Sequence, residues 1–389
     1  MSSSAGKSSR QLVLEQLHAH KSHELVPRSG KVVAFDLDLS LRHALDALAE
    51  HHIGFAPLWD SAQQEFVTVL GGEDFARLLA YVGREAAHGG GAPLGRSPDD
   101  ISLRDVLRTS RVAAPPPTFP SLLPDETLFA AVQAMLDRAL YHLPLVDTGH
   151  SPSPASAAAS AVTAAAEGVS SSGGAGATIV HVLTPLRVLN CIVNSPMFQS
   201  DTRTFGERLV DLGLCTMLTN AHAAVAVLAA AHAAAGLGDG SVAAASIDAA
   251  AHGGVQAGAV CVAALAHAPL WHALLLMGQY GCTSLPVIDS LESAMVVSAI
   301  SEERVLAIAR SMPHTDLSMP LTRALGAQPP GAGEVCVRAT DTLHVLMAAL
   351  STRNCERLAV TNDAGQLVGV VSVLDVLKYF SRPPGPSGE

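Results

Sequence analysis

Apolar residues recur at three- and four-residue spacing at Leu41, Ala44, Leu45 and Leu48, again at Leu128, Val132, Met135 and Leu136, and again at Leu343, Leu346, Met347 and Leu350. That period predicts helices that each bury one face. Another helix is predicted to start at Pro269, because a proline's missing N–H is harmless at the first helical position. Each helix runs into a short aliphatic segment closed by an acid or amide: APLWD at Ala56–Asp60, LPLVD at Leu143–Asp147, LPVID at Leu285–Asp289 and LAVTN at Leu358–Asn362. After a polar turn come a second strand and a second helix, the latter beginning near Asp74, Arg187, Arg304 and Asp375. One such segment is what any α/β hairpin looks like. Four in the same order make a repeat, and the predicted fold class is α/β, a βαββα-like unit used four times.

The spacing exposes two insertions. Pro57 to Asp74 is 17 positions, Pro286 to Arg304 is 18 and Ala359 to Asp375 is 16, whereas Pro144 to Arg187 is 43. The surplus, residues 149–177, is Ser, Ala, Gly and Pro with few large apolar side chains, so it cannot offset its ordering entropy and is predicted to be a mobile loop. Residues 229–258, rich in Ala, Gly and His, form the second insertion; alanine favours helix there, and the glycines argue against one continuous helix. The predicted units are an N-terminal segment 1–28, repeats at 29–86, 100–198, 205–312 and 313–382, and a tail 383–389.

A hydrophobic content of 49% in 389 residues is ample for buried cores. Only 15% of residues are charged and the net charge is -11, which argues against a nucleic-acid partner held by phosphate neutralisation. Six cysteines lie in apolar stretches without Cys-x-x-Cys spacing, as reduced core thiols do. The compartment expected is cytoplasmic, with the nucleus as a second. No signal-peptide apolar run opens the chain. The nearest approach to a membrane span, Val260–Gly278, is interrupted by His267, Pro269 and His272, so no span is expected. The 17 histidines do not pair at ligand spacing, and no metal site is expected. No Walker loop, kinase catalytic loop or Gly-x-Ser-x-Gly elbow occurs. The expectation is a non-enzyme that requires no cofactor.

The run SGKVVAFDLDLSLRHAL from Ser29, APLWDS from Ala56 and FVTVLGGEDF ending at Asp74 and Phe75 resemble the first CBS (cystathionine-beta-synthase) repeat of the gamma subunits of AMP-activated, sucrose-non-fermenting-type protein kinases. PLWD is the most specific element. The similarity runs from about Leu17 to Ser381 apart from the two insertions, and the Ser-Gly-Lys start is most similar to gamma proteins of green plants and algae. The resemblance implies four CBS repeats forming two Bateman modules in a disc, with four clefts meeting near its centre. It also implies AMP, ADP or ATP as ligands, and a non-catalytic regulatory subunit assembled with a catalytic alpha subunit and a beta scaffold subunit.

In such proteins an Asp at the start of the second helix accepts from both ribose hydroxyls, a Ser or Thr three residues earlier assists, and basic side chains of neighbouring repeats meet the phosphates. Carried over, the ribose residues are Asp375, Ser372 and Asp74, and the phosphate-side residues are Arg357, His142 and Thr283. The chain departs from the pattern in the third repeat, where Arg304 has five donors and no acceptor, and in the first, where Gly71 replaces the hydroxyl. Arg187 in the second repeat matches the family, which commonly leaves that cleft empty. Nucleotide is therefore expected in at most two clefts, that of Asp375 before that of Asp74. Two other readings stay open: a nucleotide-blind scaffold subunit of the same complex, and a CBS regulator of an unrelated enzyme or transporter.

Overall fold

The computed structural model describes residues 8–28, 32–87, 100–110, 119–147, 178–200, 202–214, 261–312, 314–326 and 331–382. Both insertions, 149–177 and 229–258, and the tail 383–389 lie outside the described residues. The fold is mixed α/β, and the described residues form four small sheets, one per repeat.

Each sheet is built on an antiparallel hairpin: Ala56–Asp60 with Glu65–Leu70, Leu143–Asp147 with Thr178–Leu183, Ser284–Ile288 with Val296–Ser301, and Arg357–Thr361 with Leu367–Ser372. All four shift register at the same place, at Leu58/Trp59, Leu145/Val146, Val287/Ile288 and Val360/Thr361. A bulge at one fixed position is a designed feature rather than a defect, and here it is a geometric signature of the repeat. In three repeats a short strand adds in parallel to the first strand of the hairpin: Phe35–Asp36, Ala264–Leu265 and Cys336–Arg338. The second repeat reduces this strand to a bridge between Leu122 and Leu145. The two later hairpins begin one residue earlier than the sequence pattern suggests, at Ser284 and Arg357, and Pro269 caps the Leu270–Tyr280 helix from just outside it.

Two kinds of apolar interface hold the repeats together. Helix faces join the first repeat to the third, in a core that includes Leu45, Phe75 and Leu79 with Trp271, Leu274 and Ile308. A matching core joins the second to the fourth, with Val132, Met135 and Leu189 against Leu346, Leu377 and Phe380. Sheet faces make the other two joins. Phe66 and Val69 meet Val146 and Val182, and Ile288 and Val296 meet Ala359 and Val370. The repeats thus form a closed ring in the order first, second, fourth, third, with sheet and helix contacts alternating around it.

Connecting segments pack on repeats other than those the sequence spacing placed them in. Residues 100–110, placed in the second repeat, lie on the first, where Arg104 reaches Asp60 at 3.2 Å and Asp38 at 3.0 Å. Residues 205–214, placed in the third, bridge to the fourth through Arg208 and Thr342, and Pro320 of the 313–326 stretch bridges back to Pro269 of the third. The segment 1–28 also joins the ring. Its Ser9–Ala19 helix buries Val13 and Leu17 in the second–fourth core, and Lys21 bridges to Thr127.

The Gly72–Ala87 and Leu270–Tyr280 helices approach closely at two glycines. A Cβ on Gly83 would stand 2.6 Å from Trp271 Cβ, and one on Gly278 would stand 2.4 Å from Arg77 Cγ. Gly83→Val should therefore destabilise the protein by about 1–3 kcal/mol through overpacking. Denaturant unfolding would measure this, and an unchanged midpoint would contradict the close approach.

Candidate functional site

The repeat geometry fixes three positions in each unit. The start of the first hairpin strand pairs with the residue that caps the second helix, as Arg357 does with Ser372 and Ser284 with Ser301. Three residues beyond the cap stands the side chain expected to meet a ribose: Asp74, Arg187, Arg304 or Asp375. Helix starts leave N–H groups without helical partners, so a polar cap or an anion is favoured there.

In the fourth repeat the three positions converge. Ser372 caps the Val373–Ser381 helix, accepting from Asp375 N at 3.2 Å, while Asp375 Oδ2 accepts from Ser372 N at 2.8 Å and from Ser372 Oγ at 2.6 Å. This reciprocal box occupies one carboxylate oxygen; Oδ1 makes no hydrogen bond among the described residues. Burial raises the Asp375 carboxyl above its ordinary range, opposed by the Ser372 bonds and by the charge of Arg357. Arg357 is itself buried, donating from Nη1 to Cys282 Sγ and from Nη2 to Tyr141 Oη, each at 3.2 Å. Its Nε has no partner among the described residues. Burial works against the guanidinium charge, yet Cys282, Tyr141 and Asp375 around it leave its pKa above the ordinary value. Next to it, burial pushes Glu356 up to about 7; the Thr283 hydroxyl opposes this without the alignment of a full hydrogen bond, and Glu73 adds repulsion. Asp375, Ser372 and Arg357 thus form one group, with Thr283 at its edge.

Asp74 and His142 belong to a second group. The Asp74 side chain is only 2% exposed, and both its oxygens are engaged: Oδ2 accepts from Gly71 N at 3.2 Å, and Oδ1 pairs with Arg77 at 3.4 Å. The His142 ring packs on Phe55 with centroids 4.2 Å apart, and burial holds it down at about 4. With that value the ring is neutral at pH 7. Glu302, from the third repeat, accepts from Gly72 N at 2.6 Å. Burial pushes this carboxyl up to about 7, opposed by the Gly72 bond and reinforced by Glu356 and Asp74. Sequence reading missed Glu302. The signal available was the Gly71-Gly72 pair, since glycine permits another group to approach the backbone.

The two arginines differ in surroundings. Arg304 donates from Nε to Ala324 O at 2.7 Å and also from Nη2, and so holds the chain after the Leu321–Ala324 helix. Arg187 is exposed and lines an open groove with Arg28, Asn190 and Asn194. Among the described residues no three His, Cys, Asp or Glu side chains are arranged to hold a metal ion, and no helix is long and apolar enough to cross a membrane.

The CBS-domain family model matches residues 332–382, the fourth of these repeated hairpin units with its second helix. The curated relatives are gamma subunits of the 5'-AMP-activated protein kinase, in agreement with the resemblance drawn from the PLWD tract. The gamma subunit of Dictyostelium discoideum is 22% identical over 381 residues, 95% of this chain and 53% of that protein. The yeast Saccharomyces cerevisiae subunit is 20% identical across 94% of this chain and 91% of its own length, and the pig (Sus scrofa) gamma-3 subunit 23% identical across 97% and 59%. The chain therefore spans little more than half the length of the first and third. Among solved structures, protein MJ1225 of Methanocaldococcus jannaschii, described as an archaeal homologue of the kinase gamma subunit, aligns over 93% of this chain and all of its own. Its TM-score is 0.56 at 12% identity, a likeness of fold.

The raised carboxyls have a consequence for stability. A folded-state value of about 7 against an ordinary 4.5 means that the folded protein holds protons between those pH values that the unfolded chain has released. The contribution from Glu302 and Glu356 is full below about pH 4.5 and is lost as pH rises through about 7. His142 acts in the opposite sense, its contribution being lost as pH falls through about 4. Glu302→Gln should therefore gain stability relative to the unsubstituted protein as pH rises from 4.5 to 7.5, by roughly 1–3 kcal/mol. Denaturant unfolding at a series of pH values measures the difference, and a pH-independent difference would contradict the burial of this carboxyl.

Proposed function

We propose that the chain is a non-catalytic regulatory subunit of the gamma type, binding adenine nucleotide to modulate a Ser/Thr protein kinase with which it assembles through a catalytic alpha and a beta scaffold subunit. The observation that carries the nucleotide reading is the fourth-repeat group. Asp375 keeps one carboxylate oxygen unengaged beside the Ser372 hydroxyl, and the charged Arg357 stands within electrostatic reach. That combination offers an acceptor for a ribose hydroxyl and a cation toward a phosphate. The similarity to gamma subunits along nearly the whole chain supports the kinase assignment. The four repeats of the sequence reading, two modules of two, fit the alternating ring and remain part of the proposal.

A second reading, a nucleotide-blind scaffold subunit, draws support from the same centre. Three carboxyl groups and a neutral histidine are poor company for a polyphosphate, and Asp74 is fully occupied. Calorimetric titration with AMP, ADP and ATP separates the two readings. We expect one AMP per chain, with AMP favoured over ATP. Asp375→Ala should weaken AMP binding by about ten- to a hundred-fold, corresponding to the loss of about 1.5–3 kcal/mol for a hydrogen bond to a charged group. No heat from any of the three nucleotides would favour the scaffold. Co-purification with kinase subunits, read by mass spectrometry, tests the partner assignment.

A further inference from the structure

The first-repeat helix start already holds a carboxyl group, and it is the chain's own. We propose that Glu302 is a built-in plug that closes the first-repeat cleft, its carboxyl seated on the Gly72 N–H where the acidic group of a ligand would have to sit.

Several observations converge on this. Glu302 is the first residue of the Glu302–Arg310 helix, and Gly72 is the first residue of the Gly72–Ala87 helix. Glu302 thus brings one carboxyl to the positive starts of two facing helices, the arrangement that attracts phosphates and carboxylates from solution. The bond spans 230 residues of sequence, so only the packing of the third repeat on the first delivers it. The receiving surface has been cleared of side chains. A Cβ on Gly72 would lie 2.1 Å from Glu302 Cγ, and positions Gly54 and Gly71 would bring Cβ atoms within 3.6 Å and 3.8 Å of the same side chain. His142 closes the remaining side, with Cε1 3.2 Å from the Cβ position of Gly71. Asp74, turned inward to Gly71 N and Arg77, is the acceptor that the plugged cleft no longer presents. Burial opposes ionisation of Glu302, and Asp74 and Glu356 add repulsion. The plug is therefore held by geometry against an electrostatic cost.

By the matching packing of the second repeat on the fourth, the residue placed as Glu302 is toward the fourth-repeat helix start is Pro185, the first residue of the Pro185–Val193 helix, which has no carboxyl to offer. One cleft is stoppered and the other is not. This inference rests on the nucleotide reading for the identity of the ligand, though the Glu302–Gly72 contact does not.

The test compares Glu302→Gln, which keeps the acceptor oxygen and the shape, with Glu302→Ala and Glu302→Ser, which remove both. AMP stoichiometry is read by calorimetry. The unsubstituted protein and Glu302→Gln should bind one AMP. Whichever of the Ala and Ser variants folds should bind a second, and adding Asp74→Ala should return it to one. A count that stays at one in both emptied variants overturns the plug and leaves the nucleotide reading standing. Should no form bind AMP, the nucleotide reading fails and a second probe decides the plug: inorganic pyrophosphate titrated against protein labelled with ¹⁵N-glycine. A saturable shift of the Gly72 amide in Glu302→Ala or Glu302→Ser, absent from the unsubstituted protein, supports the plug; no shift in either variant overturns it.

Discussion

Each repeat must bury two apolar surfaces at once, one face of its helices and one face of its sheet, and that requirement shapes the rest of the molecule. A unit with two such faces cannot be satisfied by one partner. Four of them can satisfy one another in a ring, with helix contacts across one direction and sheet contacts across the other. The ring leaves the hairpin starts and helix starts of the units turned toward common ground, and these are the polar parts of each unit. Arg357, Glu356, Tyr141, Thr283 and Cys282 meet there, and beside them lie Glu302, Gly72 and His142. The meeting of polar groups at the centre thus follows from how apolar surface is hidden.

A centre meant for polyphosphate would be expected to carry surplus positive charge. Here Arg357 stands as a buried cation among Glu302, Glu356 and Asp375, each raised by burial. In the fourth repeat the Ser372 bonds engage Asp375 Oδ2 and leave Oδ1 without a hydrogen bond among the described residues. Asp375 and its cap Ser372 stand at the start of a helix whose Phe380 and Leu377 form part of the second–fourth core.

The repeat was legible in the sequence because its signals are local. Helical spacing at Leu128, Val132 and Met135, and strands such as LPLVD, follow from side chains within a few residues of one another, and they recur. The cap positions were legible for the same reason, since Ser372 and Asp375 are three apart on one turn. What escaped was set by distance. Two-residue strands such as Phe35–Asp36 are too short to show a period. The packing of 100–110 on the first repeat depends on Arg104 finding Asp60, 44 residues away. Glu302 reads as an ordinary acid on the first turn of a helix, and only the ring reveals that it serves another helix. Asp74, which the family pattern offers as a ribose acceptor, is turned inward by neighbours at Gly71 and Arg77 that no motif records.

The account's central claim is that the centre is divided, with the fourth repeat open to a nucleoside and the first closed by the chain itself. A crystal structure of the unsubstituted protein grown with AMP tests this most directly. The account predicts a ribose within hydrogen-bond distance of Asp375 Oδ1, its phosphate directed toward Arg357, and Glu302 still on Gly72 N. AMP seated on Asp74 with the Asp375 cleft empty would contradict it.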